Sequence, residues 1–361
     1  MDRTKRNRRT MLFGAAAVAG AALAVAGCGS SSSSSGAQST GSGSSFAALA
    51  YNTWCTNSKL CSYTSKGSGG GITDWTNGVV DWGATDSPLK PSELATLAST
   101  RNGVTPIYFP TFLGAIGIPT NVTGAKSLQF SGATLADIFD GTVTKWNAPA
   151  IAADNPGVTL PSSPITVCVR ADSSGTSSNF SGYLGVESAT FLTKVGAASK
   201  QPSWTAPHKI AAVKNPGVLQ CVKDNANSIG YADLADVISA GDQTLLAKVK
   251  APDGTYVAPT VPAVTAAGTT AKVSQPIVPK TLQASLLNSS ATGAYPITIT
   301  TFVLAYSNYQ QAGESKALAG TKSFLNYAFG STAQGALTAL GNAPLPASIL
   351  SAAKSQVTTL K

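Results

Sequence analysis

Three Ser/Gly turns stand immediately before apolar stretches in this sequence: Gly41-Ser42-Gly43-Ser44-Ser45-Phe46, Lys66-Gly67-Ser68-Gly69-Gly70-Gly71-Ile72, and Asp172-Ser173-Ser174-Gly175-Thr176. A turn of this kind at a helix start leaves backbone N–H groups free and presents the positive end of the helix dipole. Its hydroxyls add donors, and its glycines let a ligand approach the backbone closely. That chemistry holds an oxyanion with few full charges. One such turn is an ordinary helix cap. Three in one chain, two of them beside a lone Arg or Asp, point to a shared anion site. Arg170 follows the apolar run Ile165–Val169 and directly precedes the third turn. Its planar guanidinium suits two-pronged contact with a tetrahedral oxyanion; the alternative is a surface ion pair with Asp172. Asp86 lies in the mostly uncharged stretch Asp81-Trp82-Gly83-Ala84-Thr85-Asp86-Ser87-Pro88. An ionised carboxylate only accepts hydrogen bonds. Next to an anion it makes sense if that anion carries a proton, as HPO₄²⁻ and H₂PO₄⁻ do and sulfate does not. By itself, Asp86 could equally cap a turn.

Several catalytic chemistries are poorly supported. Glutamate occurs only at Glu93, Glu187 and Glu314, none beside another carboxylate in a motif, so a glycosidase-type acid pair has no candidate. The single histidine, His208, sits in the polar segment Pro207-His208-Lys209, which argues against a Ser-His-Asp triad and against a Cys/His metal cluster. There is no phosphate-binding loop of the nucleotide type and no convincing dinucleotide fingerprint. The expectation is a binding protein, not an enzyme, with no cofactor and no metal.

The elements that must position these turns follow an α/β pattern. Apolar runs of strand length alternate with helical stretches. Strands are expected near Pro106–Pro110, Ile165–Arg170 and Ile299–Tyr306, and helices near Thr134–Phe139, Thr176–Leu184, Val218–Asn225 and Lys322–Phe329. Ser331–Leu340 reads as a last helix closed by a turn. The Pro/Thr/Ala/Ser-rich stretch 252–296 reads as an irregular excursion with one short helix near Thr281–Leu287. At 361 residues and 43% hydrophobic content the chain can build a large core, split over two domains.

The N-terminus reads as a targeting segment. Arg3, Lys5, Arg6, Arg8 and Arg9 precede an apolar stretch, Met11–Ala26, that is short for a membrane span. Val25-Ala26-Gly27-Cys28 resembles the lipobox of bacterial lipoproteins, which makes residues 1–27 a signal peptide and Cys28 the lipid attachment point. A plain signal peptide with a chance cysteine is the alternative. Gly29–Ser44 is almost all Ser and Gly, a flexible tether (residues 28–44 with Cys28) of about 20–25 Å typical reach. Arg8-Arg9 leaves both the general and the twin-arginine export routes open. Net charge is +9; removing five cations and one anion of the first ten residues leaves 20 − 15 = +5. That mild balance fits an anionic ligand among other things. No basic run with interleaved aromatics follows, so nucleic acid is not an expected partner. Export permits disulfides, and four cysteines remain after Cys28. Of three possible connectivities the sequential one, Cys55–Cys61 and Cys168–Cys221, is expected, with buried free thiols as the alternative.

Taken together the motifs resemble the phosphate-specific substrate-binding proteins of ABC importers. The resemblance runs from about Gly41 to Pro346. It is carried by the three turns, by Asp-Trp-Gly-Ala-Thr-Asp-Ser-Pro-Leu (81–89), Leu-Ala-Asp-Ile-Phe-Asp-Gly-Thr-Val-Thr-Lys-Trp-Asn (135–147) and Arg-Ala-Asp-Ser-Ser-Gly-Thr-Ser (170–177). Ser-Ile-Gly-Tyr (228–231), Tyr-Pro-Ile-Thr (295–298) and Ala-Pro-Leu-Pro (343–346) complete it. Any one is weak; their order and spacing are specific.

This resemblance implies a two-lobed, type II periplasmic-binding-protein-like α/β fold with two crossing hinge segments and the ligand in the cleft. Lobe I would be 45–113 plus 298–361, and lobe II 114–297. The implied phosphate contacts are Ser45, Phe46, Ser68, Asp86, Arg170, Ser174, Gly175 and Thr176, with Asp172 pairing Arg170 and Trp146 in the core. Implied partners are inorganic phosphate, the importer's permease in the membrane, and the bilayer itself through a lipidated, palmitate-bearing anchor on the outer face of the cytoplasmic membrane; the protein would be a monomer. The sequence departs from the family pattern in four places. Ser45 stands where Thr is usual. Ser173 stands where Gly is usual, which could alter that turn if a positive φ is required. The connection after Phe46 is short and carries Cys55 and Cys61, and the apolar hinge stretch 114–120 matches loosely. Open alternatives are a phosphatase, a binder of another oxyanion, and a surface sensor or adhesin that serves no permease.

Overall fold

The computed structural model describes residues 38–361. The expected signal peptide, Cys28 and residues 29–37 of the expected tether lie outside the described residues.

Twelve strands form the frame: β1 Ser39–Gly43, β2 Cys61–Ser65, β3 Trp82–Thr85, β4 Pro106–Asn121, β5 Gln129–Phe130, β6 Thr166–Arg170, β7 Lys209–Ala212, β8 Ser228–Gly230, β9 Ala232–Asp233, β10 Leu246–Lys250, β11 Tyr256–Val257 and β12 Thr298–Tyr306. Eight of them run in the order β2-β1-β3-β12-β4-β8-β6-β7, with β5, β9, β10 and β11 off this path. The long strand β4 makes two lobes out of this series. Pro106–Ala115 pairs antiparallel with β12. From Ile116 onward the same strand turns to β9, β10 and β8. A second crossing runs alongside, where Ile116 N donates to Ile297 O at 3.0 Å. Lobe I therefore holds the parallel trio β2-β1-β3 with β12, and lobe II holds the parallel trio β8-β6-β7. The stretch 114–120 is thus a buried part of β4 itself.

Each lobe is locked by aromatic side chains. In lobe I the Tyr51 ring meets Trp54, Tyr63, Trp82, Phe112 and Phe324 at centroid distances of 5.1–6.0 Å. In lobe II Phe139, Phe180, Trp204 and Tyr231 form a second cluster. Trp146 is fully buried, its indole N–H donating to Asn227 O at 2.9 Å, as expected of a core residue. Both expected disulfides are present, Cys55–Cys61 and Cys168–Cys221. The first clips the end of the helix Ala48–Ser58 to the start of β2; the second ties β6 to the helix Lys214–Asp224.

Two expectations need correction. The tether does not extend to Ser44, because Ser39–Gly43 is a buried strand between β2 and β3. Small residues are required there: a Cβ at Gly41 would lie 2.3 Å from the Trp82 ring, and one at Gly43, whose φ is +143°, would lie 2.1 Å from Ala84 O. Residues 252–296 are also more ordered than expected, with helices at Val261–Gly268 and Pro279–Leu286 and the strand β11. Thr260 caps the first of these helices by accepting from Ala263 N, and Pro262 stands at its start.

Candidate functional site

The three Ser/Gly turns converge on the cleft. The first follows β1, and the second opens the helix Gly67–Thr76, both in lobe I. The third opens the helix Gly175–Glu187 in lobe II, where Ser174 is the cap and its Oγ accepts from Ser177 N at 3.1 Å. The turns touch across the lobes. Gly175 N donates to Ser68 Oγ at 3.0 Å, and Gly69 N donates to Ser173 O at 3.0 Å. A Cβ on Gly175 would lie 2.7 Å from Asp86 Oδ2 and 2.6 Å from Ser68 Oγ, so only glycine allows this approach. Ser173 is not among the residues with positive φ, so a serine is tolerated at this turn without strain.

Asp86 is 1% exposed and divides its carboxylate unevenly. Oδ1 accepts from Ser44 Oγ at 2.5 Å and from Thr301 Oγ1 at 2.8 Å. Oδ2 has only a long contact, 3.5 Å, from Ser68 Oγ. Its strong acceptor capacity therefore faces the third turn. Burial pushes the Asp86 carboxyl up from the ordinary aspartate range, while the hydroxyls of Ser44 and Thr301 and the charge of Arg170 oppose that rise. Two hydroxyl donors on one oxygen are the partners an ionised carboxylate uses. The Asp86 backbone is held too, its carbonyl accepting from Asn179 Nδ2 at 2.6 Å.

Arg170 ends β6 with its side chain 1% exposed. Nε donates to Asp172 Oδ1 at 2.8 Å, Nη2 donates to Asp172 Oδ2, and Nη1 donates to Asn215 Oδ1 at 3.0 Å. The pair is a buried clamp and not a surface ion pair. A guanidinium has five N–H donors, so two remain for a ligand. Burial opposes ionisation of Asp172, but Arg170 and the Lys214 N–H outweigh it and hold the carboxyl below the usual range. Backbone N of Arg170 donates to Tyr231 Oη at 3.0 Å, and Tyr231 Oη lies 2.7 Å from Ser177 Oγ. Tyr231 thereby joins the strand that carries Arg170 to the helix that follows the third turn.

The other sequence-predicted residues are all buried at this place. Ser45 Oγ has no protein partner. Phe46 N donates to the neighbouring Ser44 Oγ at 3.0 Å, and the Phe46 ring stacks on Phe112. Thr176 Oγ1 has a long contact with Asn215 Nδ2, 3.5 Å. Sequence reasoning missed Ser44, Asn179, Asn215, Tyr231 and Thr301. Ser44 was visible inside the first turn and Tyr231 inside the motif Ser-Ile-Gly-Tyr, though neither was given a role; Thr301 comes from the apolar strand β12 and carries no local signal. Among the described residues there is no cluster of three or more His, Cys, Asp or Glu that could hold a metal ion, and no helix is long and apolar enough to cross a membrane. His208 is exposed.

Known proteins share this architecture. The PBP superfamily domain matches residues 15–332. The phosphate-binding protein PstS of Xylella fastidiosa is 33% identical over 302 residues, covering 83% of this chain and 77% of that protein. PstS 2 of Mycobacterium tuberculosis is 33% identical over 308 residues, covering 83% and 79%.

The chain belongs to the PstS phosphate-binding protein family.

Solved structures agree at the level of fold. The phosphate-binding protein of Stenotrophomonas maltophilia superimposes with a TM-score of 0.68 at 22% identity, covering 88% of this chain and 93% of that one. A high-affinity periplasmic phosphate-binding protein solved with phosphate gives 0.71 at 21% identity. The two-lobed α/β fold expected from the sequence is the fold of this PstS relative.

Proposed function

We propose that this PstS-family protein captures inorganic phosphate outside the cytoplasm and hands it to an ABC-type importer. The observation that carries the reading is the pairing of opposites in one buried cleft. Asp86 offers an acceptor oxygen, while Arg170 and the start of the helix Gly175–Glu187 offer donors and positive charge. An anion that also carries a proton satisfies both sides. HPO₄²⁻ and H₂PO₄⁻ do so; sulfate leaves the carboxylate facing an unprotonated oxygen. The contacts assigned to phosphate are Ser45, Phe46, Ser68, Asp86, Arg170, Ser174, Gly175 and Thr176. Asp172 holds the guanidinium in place. Ser44 and Thr301 saturate the other oxygen of Asp86, so the ligand's proton meets Oδ2.

The protein acts by binding: the one carboxylate near Ser68, Asp86, has its Oδ1 taken by Ser44 and Thr301 and its Oδ2 left to accept the ligand's proton. Closing of the lobes reports occupancy to the permease. Cys28, once lipidated, tethers the folded part to the outer face of the membrane and keeps it near that permease as a monomer. Titration of the stripped protein in a calorimeter with phosphate and then sulfate tests the ligand. One-to-one phosphate binding with no sulfate heat is expected; equal heats would remove the reading.

A further inference from the structure

Of the ion pairs among the described residues, only Lys200–Glu93 joins the two lobes. Lys200 belongs to the segment of lobe II that packs behind the third turn, and its main-chain carbonyl accepts from Ser174 N at 2.9 Å. Its side chain crosses the cleft. Nζ donates to Glu93 Oε2 at 2.8 Å and to Pro88 O at 3.1 Å. Pro88 lies two residues after Asp86, and Glu93 sits in the first turn of the helix Pro91–Thr100. The Lys200 side chain is 2% exposed and that of Glu93 21%. A lysine is almost never this buried unless paired, and its charge must lose its water when the lobes meet. Burial lowers the affinity of Lys200 for its proton, and Glu93 restores part of it.

We propose that Lys200 and Glu93 form an interlobe latch that sets phosphate affinity and residence time without touching the anion. This inference rests on the phosphate reading given above. The residue that carries the latch is fastened by its backbone to the ligand turn and by its side chain to the Asp86 loop, so closure, already populated without ligand, seats both ends together. Other bonds across the cleft are made by neutral groups, such as Asn179 Nδ2 to Asp86 O and Gly175 N to Ser68 Oγ. The latch differs from them in sign of error. Removing Glu93's charge forces closure to bury an unpaired ammonium, whereas removing both charges abolishes the desolvation along with the attraction. Because closure and binding are linked, any loss in the closed population raises the apparent Kd by the same factor.

Three variants test this. In Glu93→Gln the amide oxygen still accepts from Lys90 N, so the helix start is kept. Phosphate affinity falls about 10–100-fold, mostly as faster release, after discounting for Glu93's partial exposure. Lys200→Met alone weakens binding less than about 5-fold, and Glu93→Gln/Lys200→Met recovers to within about 5-fold of wild type. Small-angle scattering of the ligand-free proteins runs in parallel, with Glu93→Gln expected to be more expanded than wild type. An affinity for Glu93→Gln within 2-fold of wild type, or a double variant as weak as Glu93→Gln, overturns the latch. If wild type itself does not bind phosphate, the function reading fails, while unchanged scattering between wild type and Glu93→Gln still overturns the latch on its own.

Discussion

The two halves of the cleft solve opposite problems. Lobe I brings a buried carboxylate, Asp86, surrounded by hydroxyls from Ser44, Ser68 and Thr301. Lobe II brings a buried guanidinium, Arg170, clamped by Asp172 and Asn215, and a helix start with its hydroxyls. The donor half supplies attraction for any tetrahedral oxyanion. On the proposed reading, the acceptor half weakens that attraction and chooses among oxyanions. The charge that attracts the anion and the acceptor that selects it then come from different lobes, and each should fail separately when its residue is altered.

The largest effect is expected on the donor half. Arg170→Ala removes the only full positive charge described at the site and leaves the half-buried Asp172 without its partner. A loss of about 3–5 kcal/mol, roughly two to three and a half orders of magnitude in Kd, follows from breaking a largely buried charged cluster on one side. Calorimetric titration with phosphate checks it; a loss under 10-fold would mean the helix start carries the anion alone. Tyr231→Phe probes the same half more gently. The lost hydroxyl strands Arg170 N and Ser177 Oγ, and chemical denaturation should show about 1–3 kcal/mol of destabilisation.

A smaller effect sharpens the contrast between partnered and unpartnered acids. Asp233 and Asp236 are neighbours on one short helix start, each with an oxygen that has no protein partner. Burial raises both carboxyls, Asp236 to about 7, with Asp233 pushed up further by its neighbour's charge. A carboxyl raised on folding contributes stability that is full below its unfolded pKa of about 3.9 and is lost as pH rises through the folded value. Wild type should therefore lose this contribution between about pH 4 and 7, and Asp236→Asn should flatten the thermal melting profile across that window. An unchanged profile would show that the pair is hydrated well enough to titrate normally.

Much of the site was legible because its chemistry is local. Asp86 stands in a mostly uncharged stretch, Arg170 closes an apolar run directly before a turn, and the Ser/Gly turns announce helix starts by composition. The cysteines could be paired because one couple is close in sequence and the other lies in adjacent apolar runs. What escaped was either distant or disguised. Thr301 reaches Asp86 from a strand 215 residues away, and a threonine within Thr298–Tyr306 reads as β-propensity. β1 is disguised as linker, since Ser and Gly are poor strand formers; ladders on both sides and the Trp82 ring hold it in place. The helix Val261–Gly268 hides in a Pro/Thr-rich stretch whose Thr260 cap and Pro262 were its only signals.

The division of labour is tested most directly by titrating wild type and Asp86→Asn with phosphate and with sulfate at neutral pH. An asparagine amide can donate where the carboxylate could only accept. The expected result is a fall in phosphate affinity of about 10-fold, appearance of sulfate binding, and a collapse of the phosphate-to-sulfate preference by roughly two orders of magnitude or more. If Asp86→Asn keeps the wild-type preference, the acceptor half does not choose the ligand and the account is wrong.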